Sequence, residues 1–109
     1  MSTATPFVAQ LRARPETIRL GTAADPVITV RVQVPEVWDT VRIDAPPDTP
    51  VLLLKESALE VLMPGANQAE WITKLRGFEV LDETASLTAA GVLNGSTLLV
   101  TSRRRRPVR

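Results

Sequence analysis

"LTAAGVLNGSTLLV", Leu87 to Val100, decides how this chain folds. Ahead of it, Thr84 or Ser86 offers a hydroxyl to start a helical turn, and Gly91 offers the left-handed residue that ends one. Leu87 and Val92 are then the buried anchors of that turn. Asn94-Gly95 is a tight-turn pair, since both residues tolerate positive φ. The last strand follows in "STLLVT": Leu98 and Val100 share one face, Leu99 and Thr101 the other.

Working back from this stretch, "WITKL" (Trp71 to Leu75) reads as a strand whose inward parity stays open between Trp71, Thr73 and Leu75 on one side and Ile72 and Lys74 on the other. "RGF" turns the chain, and "EVL" is a short strand with Leu81 buried. "PPDTP" opens a helix, with Thr49 as N-cap and Pro50 in the first helical position, where its missing N–H costs nothing. The helix runs to Leu62 or Met63 and is stopped by Pro64-Gly65. At about 100° per residue, Val51, Leu54, Ala58, Val61 and Leu62 share the face that packs on a sheet, with Glu56 and Glu60 opposite. Leu53 falls near the polar side, and Leu52, Leu59 and Met63 form an apolar flank, either covered by the N-terminal arm or the next loop or offered as a partner-binding ridge.

Further upstream, Ile28, Val30, Val32 and Val34 alternate with Thr29, Arg31 and Gln33, and after the break "PEVWD" Val41 and Ile43 alternate with Thr40, Arg42 and Asp44. Two such runs across a short turn are an antiparallel hairpin with β-branched residues inward. Residues 1–26 lack periodicity and are punctuated by Pro6, Pro15, Gly21 and Pro26, so they read as a flexible arm in which "ETIRL" is at most a short strand with Ile18 and Leu20 on one face. The domain is then 27–102, followed by a basic tail over 103–109. One helix over a mixed sheet of four to five strands is an α+β arrangement.

This order resembles the ubiquitin-like β-grasp superfamily. Leu87, Val92, Leu98 and Val100 match the anchors of its final turn and strand, and "PPDTP" resembles the start of its single helix. Trp71 opening the strand after the helix, followed by "GVLNGSTLLV", is similar to the YukD/EsaB-type bacterial proteins and to the ubiquitin-like domain at the front of EccD, both of type VII secretion systems. The resemblance implies a small, bacterial, cytoplasmic interaction module whose partner is a protein, with a membrane secretion component as the implied candidate. It also implies binding through the outer face of the sheet, which puts Leu99, Thr101 and the neighbouring Leu75 forward as partner-binding residues.

Composition narrows the chemistry. Among 109 residues there is no cysteine and no histidine, which excludes disulfides, thiol nucleophiles, the usual zinc sites and histidine acid–base catalysis. Ser86, Thr88 and Ser96 have no histidine to activate them, Asp82 and Glu83 read as solvent-facing neighbours, and Lys55 and Lys74 read as exposed. There is no phosphate-binding glycine loop. The expectation is a protein with no enzymatic activity and no cofactor. No run approaches the roughly 18–20 apolar residues of a membrane span.

Net charge is +1, but Arg103, Arg104, Arg105, Arg106 and Arg109 hold five of the 13 basic residues, leaving eight basic against 12 acidic groups in residues 1–102. An acidic body with a basic tip argues against specific nucleic-acid binding by the domain. No aromatic residue interleaves the tail to stack on bases. The tail is suited to weak binding of acidic surfaces, with at most peripheral membrane contact. Ubiquitin-like modifiers and sulfur carriers end in Gly-Gly, whereas this sequence ends in Pro107, Val108 and Arg109, which disfavours a modifier or sulfur-carrier role.

Overall fold

A computed structural model describes residues 17–21 and 26–103. Six strands form one mixed sheet: β1 (Thr17–Arg19), β2 (Ile28–Val34), β3 (Asp39–Ala45), β4 (Trp71–Leu75), β5 (Phe78–Glu79) and β6 (Thr97–Ser102). Their spatial order is β1-β3-β2-β6-β4-β5. Helix α1 (Val51–Leu62) crosses one face, and a single turn of helix, α2 (Leu87–Ala90), precedes β6.

The hairpin forms as its alternation requires. β2 and β3 pair antiparallel from Ile28 opposite Ala45 to Val34 opposite Asp39, which sends Val30, Val32, Val34, Val41, Ile43 and Ala45 to the same side. Its turn is one 3₁₀ turn, Pro35–Val37, closed by Trp38 in the left-handed region at φ 53°. β6 then lies parallel to β2, and antiparallel to β4, at the centre of the sheet. This places Leu98 and Val100, both fully buried, against the hairpin's apolar row.

The parity of β4 is resolved by that pairing. Thr73 stands opposite Val100 and Leu75 opposite Leu98, so Trp71, Thr73 and Leu75 face the core and Ile72 and Lys74 face outward. The expected anchors of the final turn hold: Leu87 is fully buried and Val92 nearly so. Ser86 caps α2 by accepting the Ala89 N–H, and Gly91 ends it at φ 87°.

Four expectations are corrected. The sheet has six strands, because Thr17–Arg19, placed by sequence in the N-terminal arm, adds β1 parallel to β3 with Ile18 opposite Ile43. Thr49 does not cap α1. The helix begins at Val51 with Pro50 in extended conformation before it, and the Val51 and Leu52 N–H groups donate to the Ala85 and Glu83 carbonyls. The loop before α2 therefore satisfies the orphan donors that a cap residue would serve. Leu81 is 85% exposed; β5 is only two residues long, and Val80 takes the half-buried place, its N–H donating to the Thr73 carbonyl. Lys55 is buried, with its Nζ 2.9 Å from the Trp71 carbonyl and 2.7 Å from Glu83 Oε1. Glu83 is thereby drawn out of the solvent-facing role that sequence assigned to it.

On α1, Val51, Leu54 and Ala58 are buried as the helical angle predicts, while Val61 and Leu62 are half-buried against the core. Leu59 of the apolar flank belongs to the core, Met63 packs against it with Ala66, and Leu53 is exposed.

Candidate interaction face

Because side chains alternate along a strand, the same register that fills the core also defines the sheet's other face. Three of its rows run across the strands. Gln33, Leu99 and Lys74 align across β2, β6 and β4, with Glu79 beyond. Arg42, Arg31 and Thr97 align across β3, β2 and β6. Ile72 stands beside Thr101. The helices send their buried residues to the opposite side.

Of the residues proposed from sequence, Leu99 does lie on this face, half-buried between fully buried Leu98 and Val100. Thr101 is also there, but its hydroxyl is engaged: it donates to Glu36 Oε2 at 2.8 Å, and the Ser102 N–H donates to the same oxygen at 2.7 Å. Glu36 in the hairpin turn thus ties down the end of β6, which makes Thr101 part of the scaffold. Leu75 is not on this face. It is 7% exposed and belongs to the core, because β4 pairs with β6 in the register that turns Leu75 inward. Arg103 is exposed just past β6, its N–H bonded to the Glu70 carbonyl. Arg104, Arg105, Arg106 and Arg109 lie outside the described residues.

Sequence reasoning passed over the exposed aromatics. Trp38 is 87% exposed at the hairpin turn and Phe78 is 78% exposed on the edge strand β5. Neither lies within an alternating run, so strand parity gave no reading of them; a large aromatic inside a turn was the available sign. Phe78 and Leu81 border an open groove of about 490 Å³ floored by Leu75 and Val80.

Several of the polar groups weighed from sequence have structural partners. Ser86 caps α2, the Thr88 hydroxyl donates to the Pro47 carbonyl, and the Ser96 hydroxyl accepts the Leu93 N–H. The Thr84 hydroxyl and backbone N–H both donate to Asp82, which holds that carboxyl below its ordinary pKa. Among the described residues no group of three or more acidic side chains is gathered to hold a metal ion, and no helix is long and apolar enough to cross a membrane.

This fold, one long helix on a mixed sheet, is similar to that of known structures. The ubiquitin-like domain of an Arabidopsis thaliana protein superposes with a TM-score of 0.63 at 19% identity, over 82% of this chain and 90% of that one. The chain folds as a ubiquitin-like β-grasp domain. The C-terminal ubiquitin-like domain of mouse tubulin-specific chaperone e matches this β-grasp domain with a TM-score of 0.62 at 17% identity, covering 82% and 97% of the two chains. The corresponding domain of Plasmodium falciparum Dsk2 matches with a TM-score of 0.58 at 26% identity, covering 70% and 97%. No model of a protein family matches the sequence, and no curated protein matches it.

Proposed function

We propose that this β-grasp domain is a non-catalytic protein-interaction module that captures its partner on the outer face of the sheet around Leu99, in the cytosol, as an accessory to a membrane component of a type VII-like secretion system. The observation that carries the binding reading is Leu99. Its neighbours Leu98 and Val100 already fill the core, so the fold does not require a leucine there. It stands half-buried between Gln33 and Lys74, an apolar anchor with a polar rim, which is the anatomy of a small contact surface. Trp38, at the turn whose Glu36 holds the end of β6, offers a second large apolar side chain at that end of the sheet.

The secretion-system reading rests on the resemblance carried by Trp71 and the stretch from Gly91 to Val100. Solved domains of this fold that form parts of larger proteins, such as that of tubulin-specific chaperone e, support the reading of a module. In this reading Arg103 to Arg106 and Arg109 add attraction to an acidic surface beside the partner, about 1 kcal/mol per basic residue near an anionic membrane.

The test is affinity capture from source-cell membranes with the tagged chain and with Leu99→Asp. The expected outcome is recovery of a secretion-system membrane component by the wild type only, with equal thermal midpoints for the two proteins. Equal capture by both proteins overturns the assignment of the face. Formation of a thioester on incubation with an activating enzyme and ATP overturns the module reading in favour of a modifier.

A further inference from the structure

Two like-charged pairs stand on opposite sides of the described domain, one on the outer face of the sheet, which also carries Asp44, Lys74 and Glu79, and one on the helix. On the outer face of the sheet, Arg31 and Arg42 are direct cross-strand partners and both are exposed. Directly opposed like charges work against strand pairing. On the far side of the molecule, Glu56 and Glu60 lie one turn apart on the surface of α1, the i, i+4 spacing at which like charges oppose each other. Among the described residues none of these four side chains has an ion pair or hydrogen bond; the salt bridge between Lys55 and Glu83 does not involve them. The carboxylate on the arginines' side of β3, Asp44, accepts the Thr29 hydroxyl at 2.7 Å.

The two pairs match in spacing. Residues paired across antiparallel strands have Cα atoms about 4.5–5.5 Å apart. Residues four apart on a helix are separated by about 6 Å along its axis. The acidic pair also has a receptacle. Glu56 and Glu60 line a depression of about 260 Å³ with Leu59 and Met63. An arginine entering it would lay its aliphatic stem on Met63 and bring its guanidinium to the carboxylates, the geometry arginine favours.

We propose that the domain self-associates head to tail, the Arg31/Arg42 pair of one copy seating on the Glu56/Glu60 notch of the next. Each contact neutralises two pairs of like charges that make no ion pair among the described residues. The two patches lie on opposite sides of the molecule, one on the outer face of the sheet and one on the helix that covers its inner face. The contact is therefore heterologous, and it propagates into open chains instead of closing as a two-fold dimer. The inference goes beyond the partner reading centred on Leu99 and does not depend on it, since it concerns the purified chain alone.

Sedimentation velocity on the full chain tests it, comparing wild type with Arg31→Gln/Arg42→Gln and Glu56→Gln/Glu60→Gln. In salt of about 0.01 M, where charges reach about 30 Å, the mass-average size of the wild type should rise with concentration beyond a dimer; in about 1 M salt, where the reach is about 3 Å, it should fall to the monomer. Either double variant alone should stay monomeric, with a thermal midpoint at or above that of the wild type, because each loses a like-charge pair and no contact within the fold. Mixed in equal amounts, the two variants retain one good patch each and should stop at a dimer. A wild type that stays monomeric at every concentration overturns the proposal. So does a wild type that plateaus at a dimer, association that either variant retains, or a mixture that fails to pair.

Discussion

Two buried polar side chains carry different costs. Lys55 is 4% exposed and spends its charge on the Trp71 carbonyl and the Glu83 carboxylate, joining α1 to the start of β4 and to the loop that caps α1. Lys55→Met keeps the stem and strands both acceptors, so it should cost about 1–3 kcal/mol. Chemical denaturation checks this, and adding Glu83→Gln to the variant should recover part of the loss. Thr73 is the reverse case: it is fully buried, and its Oγ1 has no hydrogen-bond partner among the described residues. Thr73→Val replaces that hydroxyl with a methyl of the same shape and should raise stability by roughly 1 kcal/mol. For a domain of this size that is a rise of about 4–8 °C in the thermal midpoint, read by calorimetry. Neither residue declared its place by type. Lys55 stands one helical turn beyond Val51, so its angle pointed to the core while its charge pointed to water. Angle prevailed, because Glu83 and the Trp71 carbonyl were positioned to receive the ammonium.

At the scale of elements, the segment before β6 does two jobs. It ends α2 at Gly91 and lends the Glu83 and Ala85 carbonyls to the start of α1. Gly91 has φ 87°, and a Cβ built there meets only Arg76 and Leu75 side-chain atoms at 3.8 and 3.9 Å, ordinary contact distances. The penalty for Gly91→Ala is thus conformational, about 1–2 kcal/mol, and the unfolding midpoint in urea should fall accordingly. A larger loss would mean that the Leu87 and Val92 anchors had moved as well. Sequence located this turn because its chemistry is local: a hydroxyl cap, a glycine stop and an Asn-Gly pair. The start of α1 was misassigned because its capping groups lie more than thirty residues further along the chain. β1 was similarly hard to read, since three residues gain strand geometry only when Ile18 finds Ile43.

At the scale of the whole molecule, the sheet has a filled side and an open side, and the proposed partner site around Leu99 belongs to the open one. Leu99→Asp should leave the thermal midpoint nearly unchanged, because the side chain lies outside the cluster formed by Leu98, Val100 and the hairpin valines. A fall of the size expected for a core leucine, about 2–5 kcal/mol, would place Leu99 in the core and remove the candidate face. The separation of Arg31 and Arg42 from Glu56 and Glu60 is also a property of this scale: the residues are distant in sequence and opposite in space.

The sequence by itself determined the local elements and, in most of them, the buried side. Hydrophobic period, turn residues and helix stops depend on near neighbours, so Val30, Val32, Leu54, Leu87 and Leu98 could be assigned to the core before any tertiary contact was known. Tertiary structure alone decided the parity of β4, and with it that Leu75 faces inward while Lys74 faces out. It also decided that Lys55 is buried, that Leu81 and Trp38 are exposed, and that Arg31 meets Arg42. Each of these depends on which residue lies across the sheet or beneath the helix, and a one-residue change of register would reverse it.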